Sequence, residues 1–357
     1  MNIDIKERIQ RHQAWRLREP VSHALTGLLW EPDIPPLPAM LDSVGTGSEV
    51  KPEHIHPEMF LPYVEGWYQL DRGLVTGSIQ PFTPAFGMPW MEAIAGCPVM
   101  AHPGSLWAET ALESYQSREP FKFDSDNPWL RKLVEFTREM VRFSAGRFPV
   151  ALPQMRGPLD ILAALRTPAQ MCIDIVEDPG AVCDVLAELT DLWIATAQVL
   201  LAEIEPFHGG YSSRMKMWAP GKTVTPQNDV STLISPRMYR ERVFPFDAKI
   251  FKSFPYHSFH MHSTEHHHVE TLLSSPELTA IQLTLEHTLG GPPLGKILGV
   301  AEKILAKKPL ILVPLDLESA NICLERLPAA GLAVMVGINS PDIPAEISAW
   351  LEANASR

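Results

Sequence analysis

Six of the twelve residues from 257 to 268 are histidines, and two of them, His260 and His262, lie two apart in the apolar run 256–262. That run reads as a β-strand, so both imidazoles point to one face. Neutral imidazole is a good zinc ligand, and two of them occupy two corners of a tetrahedral site. The metal needs a third donor. Glu286 ends the next apolar run, 24 residues beyond His262 (286 − 262), and is the natural candidate. Asp316 and Glu318 follow the run after that and are alternatives, while Cys323, expected on a helix, fits less well. Without a metal, acid–base work would fall to Asp229, His260 or Glu286. The trailing His266, His267 and His268 read either as further ligands or as the solvated start of a helix over 269–273.

Other side chains extend this candidate site. Asp229 precedes Ser231 and a helical stretch, a position that suits helix capping as well as catalysis. Arg156 either binds a substrate anion or pairs with a buried carboxylate. His208, Tyr211, Arg214 and Trp218 are expected to bind substrate, with Trp90 and Trp107 supplying apolar walls, whereas Met215 and Met217 read as core.

Such residues need a scaffold. Apolar runs recur at 256–262, 278–286, 309–316 and 331–337, separated by helical stretches such as 294–307 and 317–329. Strand and helix alternate, which calls for parallel strands joined by crossover helices. Upstream, 208–218 reads as a strand following the helix 181–205, to which Asp178–Pro179 gives a start, and 148–155, 72–81 and 23–30 complete a set of eight. Eight strands make a (β/α)8 TIM barrel in a single domain, with an N-terminal helical extension over 1–18 and loop insertions, the largest over 33–62. A doubly wound open sheet is the rival, but no GxGxxG or GxxxxGK[ST] turn is present. Active sites of such barrels sit at the C-terminal ends of the strands, where His260, His262 and Glu286 fall.

Bulk properties exclude several classes. A formal net charge of −12 without a basic run argues against nucleic-acid or anionic-membrane partners. No apolar run in the sequence reaches the ~20 residues of a membrane span, and the charged N-terminus lacks the apolar stretch of a signal peptide. Four cysteines without CxxC spacing indicate neither a disulfide framework nor a zinc knuckle, so a cytoplasmic setting is the simplest expectation. Thirty-four prolines punctuate the chain between apolar segments, as ordered loops at strand ends would require.

Three segments carry a resemblance. Met155-Arg-Gly-Pro-Leu-Asp160 before Asp178–Pro179, Asp229-Val-Ser-Thr-Leu-Ile-Ser-Pro-Arg-Met-Tyr-Arg240 before Phe244–Pro245, and His260-Met-His-Ser263 at a strand end resemble the uroporphyrinogen decarboxylase-like superfamily in order and spacing. The resemblance spans roughly residues 150–336. It implies a (β/α)8 barrel and one of two chemistries: cofactor-free decarboxylation, or zinc-dependent methyl transfer between corrinoids and thiols. In the methyltransferases the strand end looks like H-x-C, so His262 stands where a cysteine ligand is found, leaving a metal with less thiolate and more Lewis acidity. The position of Glu286 resembles a glutamate ligand of the related cobalamin-independent methionine synthases. Residues 26–33 stand where decarboxylases carry "RQAGR", and they offer few cations to a polycarboxylate. The resemblance therefore favours a zinc-dependent methyltransferase. A metal-free lyase acting on a carboxylated pyrrole or small acid, or a non-catalytic tetrapyrrole binder, is the alternative. A corrinoid would arrive on a separate protein, since the sequence shows no fused corrinoid domain.

Overall fold

The computed structural model describes residues 3–30, 44–84, 87–338 and 342–355. Its centre is a curled, six-stranded, all-parallel sheet, half of a barrel. We name its strands β1 (Leu25–Trp30), β2 (Thr223–Val224), β3 (Tyr256–His262), β4 (Ala280–Thr284), β5 (Leu310–Val313) and β6 (Leu332–Ile338). They lie in the order β1-β6-β5-β4-β3-β2, with Leu25 registered on Ala333 and His260 on Gln282. Helices Leu294–Leu305, Leu317–Arg326 and Ala345–Ala355 alternate with the later strands, as crossover connections between parallel strands require.

The expected eight strands are not all regular. The fourth was placed at 208–218, but that segment is an antiparallel hairpin in which Tyr211–Ser212 pairs with Trp218–Ala219. The parallel strand is the short β2 that follows, bounded by Pro220 and Pro226; proline cannot donate to a ladder. Residues 61–73 form a helix, so the expected strand at 72–81 begins too early. Beyond it, Gly77 N donates to Thr26 O, and Phe82 forms a parallel bridge with Val150. Of the proposed insertion over 33–62, residues 33–43 lie outside the described residues.

Alternation along the strands explains two cores. Leu28, Leu283, Leu312 and Val334 face outward into the main cluster beneath the helices. Leu25, Leu29, Ala280, Ile311, Val313, Ala333 and Met335 face inward. Met215 and Met217, carried by the turn of the hairpin, fill that interior and are fully buried, as the core reading of them required. Helix Ile5–Leu17 closes the N-terminal end of the strands: Trp15 donates to the carbonyl of Leu310, the first residue of β5, at 3.2 Å. Helix Pro179–Glu203 starts with Asp178, whose carboxylate accepts from Ala181 N at 3.2 Å. It is the one helix among the described residues long and apolar enough to cross a membrane, and more than half of its apolar window is buried against the rest of the fold. It reads as a core helix.

Candidate metal and substrate site

On β3 the inward residues are Ser258, His260 and His262, because Phe259 and Met261 belong to the outer core. Ser258 bonds to Ser213 of the hairpin at 2.9 Å and to Thr225 at 3.1 Å, which seats the strand. Above it the two imidazoles converge, with Nε2 of His260 3.3 Å from Nε2 of His262. Asp229 Oδ1 stands 3.9 Å from each of these nitrogens. The three donor atoms all lie within 4.8 Å of one another. Donors of a tetrahedral zinc ion at its usual bond lengths are about 3.4 Å apart. Asp229 Oδ1 is buried without a hydrogen-bond partner, a costly state for a carboxylate oxygen that a cation would relieve. The residues fit a zinc ion.

Each donor is held from behind. Glu286 Oε1 sits 2.8 Å from Nδ1 of His262, the opposite ring nitrogen, and its other oxygen accepts from Ser263 Oγ at 3.2 Å. Glu286 thus meets the far ring nitrogen of His262, where the sequence reading had it as the third ligand, and Asp229 is the third member of the convergent group. Gln282 packs its amide on Nδ1 of His260 and bonds to Thr284 Oγ1. Turning the Gln282 amide over satisfies both its atoms: the nitrogen donates to His260 Nδ1 and the oxygen accepts from Leu283 N, Thr284 N and Thr284 Oγ1. This puts the proton of a neutral ring on Nε2, so that proton must leave before Nε2 can hold a metal. A carboxylate on the far ring nitrogen, as Glu286 is for His262, is a usual way to fix a metal-binding histidine.

The Asp229 loop is built for its position. Asn228 does not cap the turn Asp229–Leu233 that follows it; its Oδ1 accepts at 3.0 Å from Leu159 N in the first turn of helix Pro158–Arg166, and its amide donates to the buried Asp247 at 2.7 Å. Tyr239 donates to the other Asp247 oxygen at 2.6 Å. Gly157 lets the loop approach, since a Cβ there would stand 1.7 Å from the Gln227 carbonyl oxygen. Glu265 accepts from the His262 backbone N–H and from Ser231 Oγ, both at 2.7 Å, tying the strand end to the loop. Asp229 Oδ2 accepts from the Gln227 amide at 2.8 Å, so the side chain is not a helix cap.

Electrostatics differ sharply across the pair. Burial pushes the His260 pKa down to about 4, with Arg214 and His262 acting in the same direction against Asp229. Burial also works against charge on His262, but the Glu286 hydrogen bond and Asp229 outweigh it and hold the pKa at about 9. Burial raises the Glu265 pKa, and Asp229 adds to it.

The remaining candidates divide. Arg214 reaches Gln227 Oε1 at 3.2 Å and feels His260. Arg156 pairs with the fully buried Glu92 at 3.3 Å and lines a cavity of about 450 Å3 that Asp229 also borders. The exposed Trp107 lines the same cavity, but Trp90 is buried against Trp129 and forms no wall. His208, Tyr211 and Trp218 are not brought to the histidines. Trp218 packs with Ile5 and Ile9 of the helix at the other end of the strands, and His208 is exposed on the turn 207–210. Asp316 caps helix Leu317–Arg326 through Ser319, Glu318 lies in that helix's first turn, and Cys323 is buried within the helix. His266 and His268 bond to the carbonyls of Ser263 and Ser231. Glu92, Gln282 and Glu265 had no signal in sequence, because only packing brings them here, and Asp160 was marked only as the last residue of the 155–160 segment, with no role.

A search of solved structures matches a methyltransferase from Methanosarcina mazei over 97% of this chain and 97% of that one, with a TM-score of 0.65 and 15% sequence identity. At that identity the likeness shows a shared fold. No protein-family model and no curated protein matches the chain.

Proposed function

We propose that this chain is a zinc-dependent methyltransferase on a (β/α)8 barrel of the uroporphyrinogen decarboxylase-like superfamily, passing a methyl group between a corrinoid or other donor and a thiol. One observation carries the reading: Asp229 Oδ1, His260 Nε2 and His262 Nε2 converge at ligand spacing, and the Asp229 oxygen has no other partner. The shared fold with a methyltransferase supports it.

Two imidazoles and a carboxylate make three protein ligands, the number that leaves one position open for a substrate. Zinc held there would supply a Lewis acid that favours the thiolate form of an incoming thiol. The chain's residues do the rest. Glu286 and Gln282 orient the rings, Glu265 fixes the strand end to the Asp229 loop, and the cavity beside Asp229 receives the substrate. The described lining of that cavity holds one cation, Arg156, too few for a porphyrinogen bearing many carboxylates. A metal-free lyase using Asp229, His260 and Glu286 as acids and bases is the competing mechanism.

The test is metal analysis of untagged protein after zinc supplementation, followed by thiol methylation from methylcobalamin. One zinc per chain that is lost in His260→Ala, with activity abolished by chelator and restored by zinc, is expected. No stoichiometric zinc after supplementation, or thiol methylation that persists with chelator, would overturn the zinc reading.

A further inference from the structure

Gln227 is fully buried two residues before Asp229, and its side chain joins two groups of opposite charge. Its Nε2 donates to Asp229 Oδ2 at 2.8 Å, and its Oε1 accepts from Arg214 Nη2 at 3.2 Å. A guanidinium can only donate and an ionised carboxylate can only accept. The amide is therefore fixed one way round, oxygen to Arg214 and nitrogen to Asp229.

The backbone beside Gln227 is pinned as well. His260 N donates to the Pro226 carbonyl at 2.9 Å, which ties the residue before Gln227 to a strand position that carries one of the two imidazoles. The Gln227 carbonyl lies against Gly157, where a Cβ would stand 1.7 Å from its oxygen, and Asn228 is held by Leu159 and Asp247. With both main-chain neighbours fixed and both ends of the amide engaged, Gln227 has little freedom to turn. The orientation of Asp229 follows from it. Oδ2 is occupied by the amide, while Oδ1 is buried without a hydrogen-bond partner and stands 3.9 Å from Nε2 of each histidine.

We propose that Gln227, braced by Arg214, is a positioning residue that limits Asp229 to a single ligand oxygen. A carboxylate can offer a metal one oxygen or both. Both oxygens with two imidazoles would make four protein donors, the closed set of a structural zinc site, whereas one oxygen makes three and leaves the position that a substrate needs. The hydrogen bond to Oδ2 keeps that second oxygen out of the donor set. An amide does this without adding charge; a cation placed directly on Oδ2 would compete with the metal for the carboxylate. Hydrogen bonds to a ligating carboxylate are a common outer layer of metal sites. Arg214, expected from sequence to touch substrate, acts here through the amide. The role rests on the metal-binding reading given above.

The test uses the whole chain loaded with cobalt, whose visible bands report the number and type of donors, and 2-mercaptoethanol as the probe of the open position. In the wild type the thiol should bind and produce a sulfur-to-cobalt charge-transfer band. Gln227→Met removes both hydrogen bonds at similar volume. The cobalt bands should then change in intensity before thiol is added, and the thiol Kd should rise about tenfold or more. Arg214→Met should move both readouts in the same direction, and it carries the test if Gln227→Met does not fold. Arg214→Lys, which keeps a donor for Oε1, should return them to wild-type values. A tie that is only structural would lower thermal stability and leave the spectrum and thiol affinity of bound cobalt unchanged in both Met variants. That result overturns the role of Gln227 while the metal site stands. A wild type that takes up neither cobalt nor zinc overturns the metal reading, and this role with it.

Discussion

Replacing Glu286 by Gln separates an orienting carboxylate from a ligand, because the two roles give different pH profiles for metal binding. His262 ligates only when neutral, and its pKa of about 9 puts pH 7 two units below it. Deprotonation at pH 7 therefore costs about 2.7 kcal/mol, roughly a hundredfold in affinity. The zinc Kd of the wild type should fall about tenfold per pH unit from 7 to 9 and level off above. Glu286→Gln keeps an acceptor for Nδ1–H but removes the charge that holds the proton, so the plateau should begin near the ordinary histidine pKa of about 6.5. Loss of the orienting carboxylate weakens binding about 10- to 100-fold on that plateau. The two effects oppose each other below pH 9. At pH 7 the variant should bind about as tightly as the wild type or up to about tenfold more tightly, while at pH 9 it is clearly weaker. Competition with a chromophoric chelator across pH 6 to 9.5, with cobalt as a spectroscopic check, measures both. A variant whose profile breaks at the same pH as the wild type, or that binds no metal at any pH, would refute the orienting role.

Asp229→Asn should lose more zinc affinity at pH 9 than Glu286→Gln, in the same competition assay, because it alters a donor and not its support. Gly157→Ala drives a Cβ into the Gln227 carbonyl; an overpacking cost of about 1–3 kcal/mol in urea unfolding is expected, together with weaker zinc binding as the Asp229 loop shifts. Lys216 is fully buried without a hydrogen bond on Nζ, and burial lowers its pKa from 10.5 to about 7. Between pH 7 and 10.5 the unfolded chain holds a proton that the folded one does not, so wild-type stability should rise with pH across that window. Lys216→Met should flatten that rise and be more stable than the wild type at pH 6 by a few kcal/mol, with Asp71 still near Arg8 at 3.8 Å; equal stabilities at pH 6 in urea titrations would count against it.

How much of this was legible in sequence depends on where each contact comes from. The later strands were readable because 310–313 and 332–338 are apolar runs between helices, 280–284 is broken only by Gln282 and Thr284, and 256–262 alternates Phe259 and Met261 with polar residues at the strand period. The strand at 223–224 was not, since two residues between prolines carry no periodicity, and the more apolar 208–218 drew the assignment. His260 and His262 were legible because a spacing of two fixes a common face. Asp229 was visible as an acid–base or capping candidate heading the 229–240 segment, not as a partner of the histidines; its place opposite them comes from Gly157, Asn228 and Glu265, contacts made across the fold. Glu286 was located correctly at its strand end, but which ring nitrogen it meets is a matter of angstroms, below what spacing resolves. The apolar length of helix 179–203 likewise became interpretable only once its neighbours were seen.

The register of β1 on β6 has a consequence for biosynthesis. Leu25 pairs with Ala333 and Leu29 with Gly337, so β1 stays without this neighbour until a segment 308 residues further on (333 − 25) has left the ribosome. In the interval its backbone donors and acceptors on that side form an open edge, the kind of surface on which chains aggregate. Pairing so distant in sequence also carries a high contact order and slows closure. Helix Ile5–Leu17, made just before β1, buries His12 and Trp15 and gives the waiting strand an early local contact. The ordering of the sheet thus makes the helix at its floor a guard for the nascent edge as well as a plug for the finished fold.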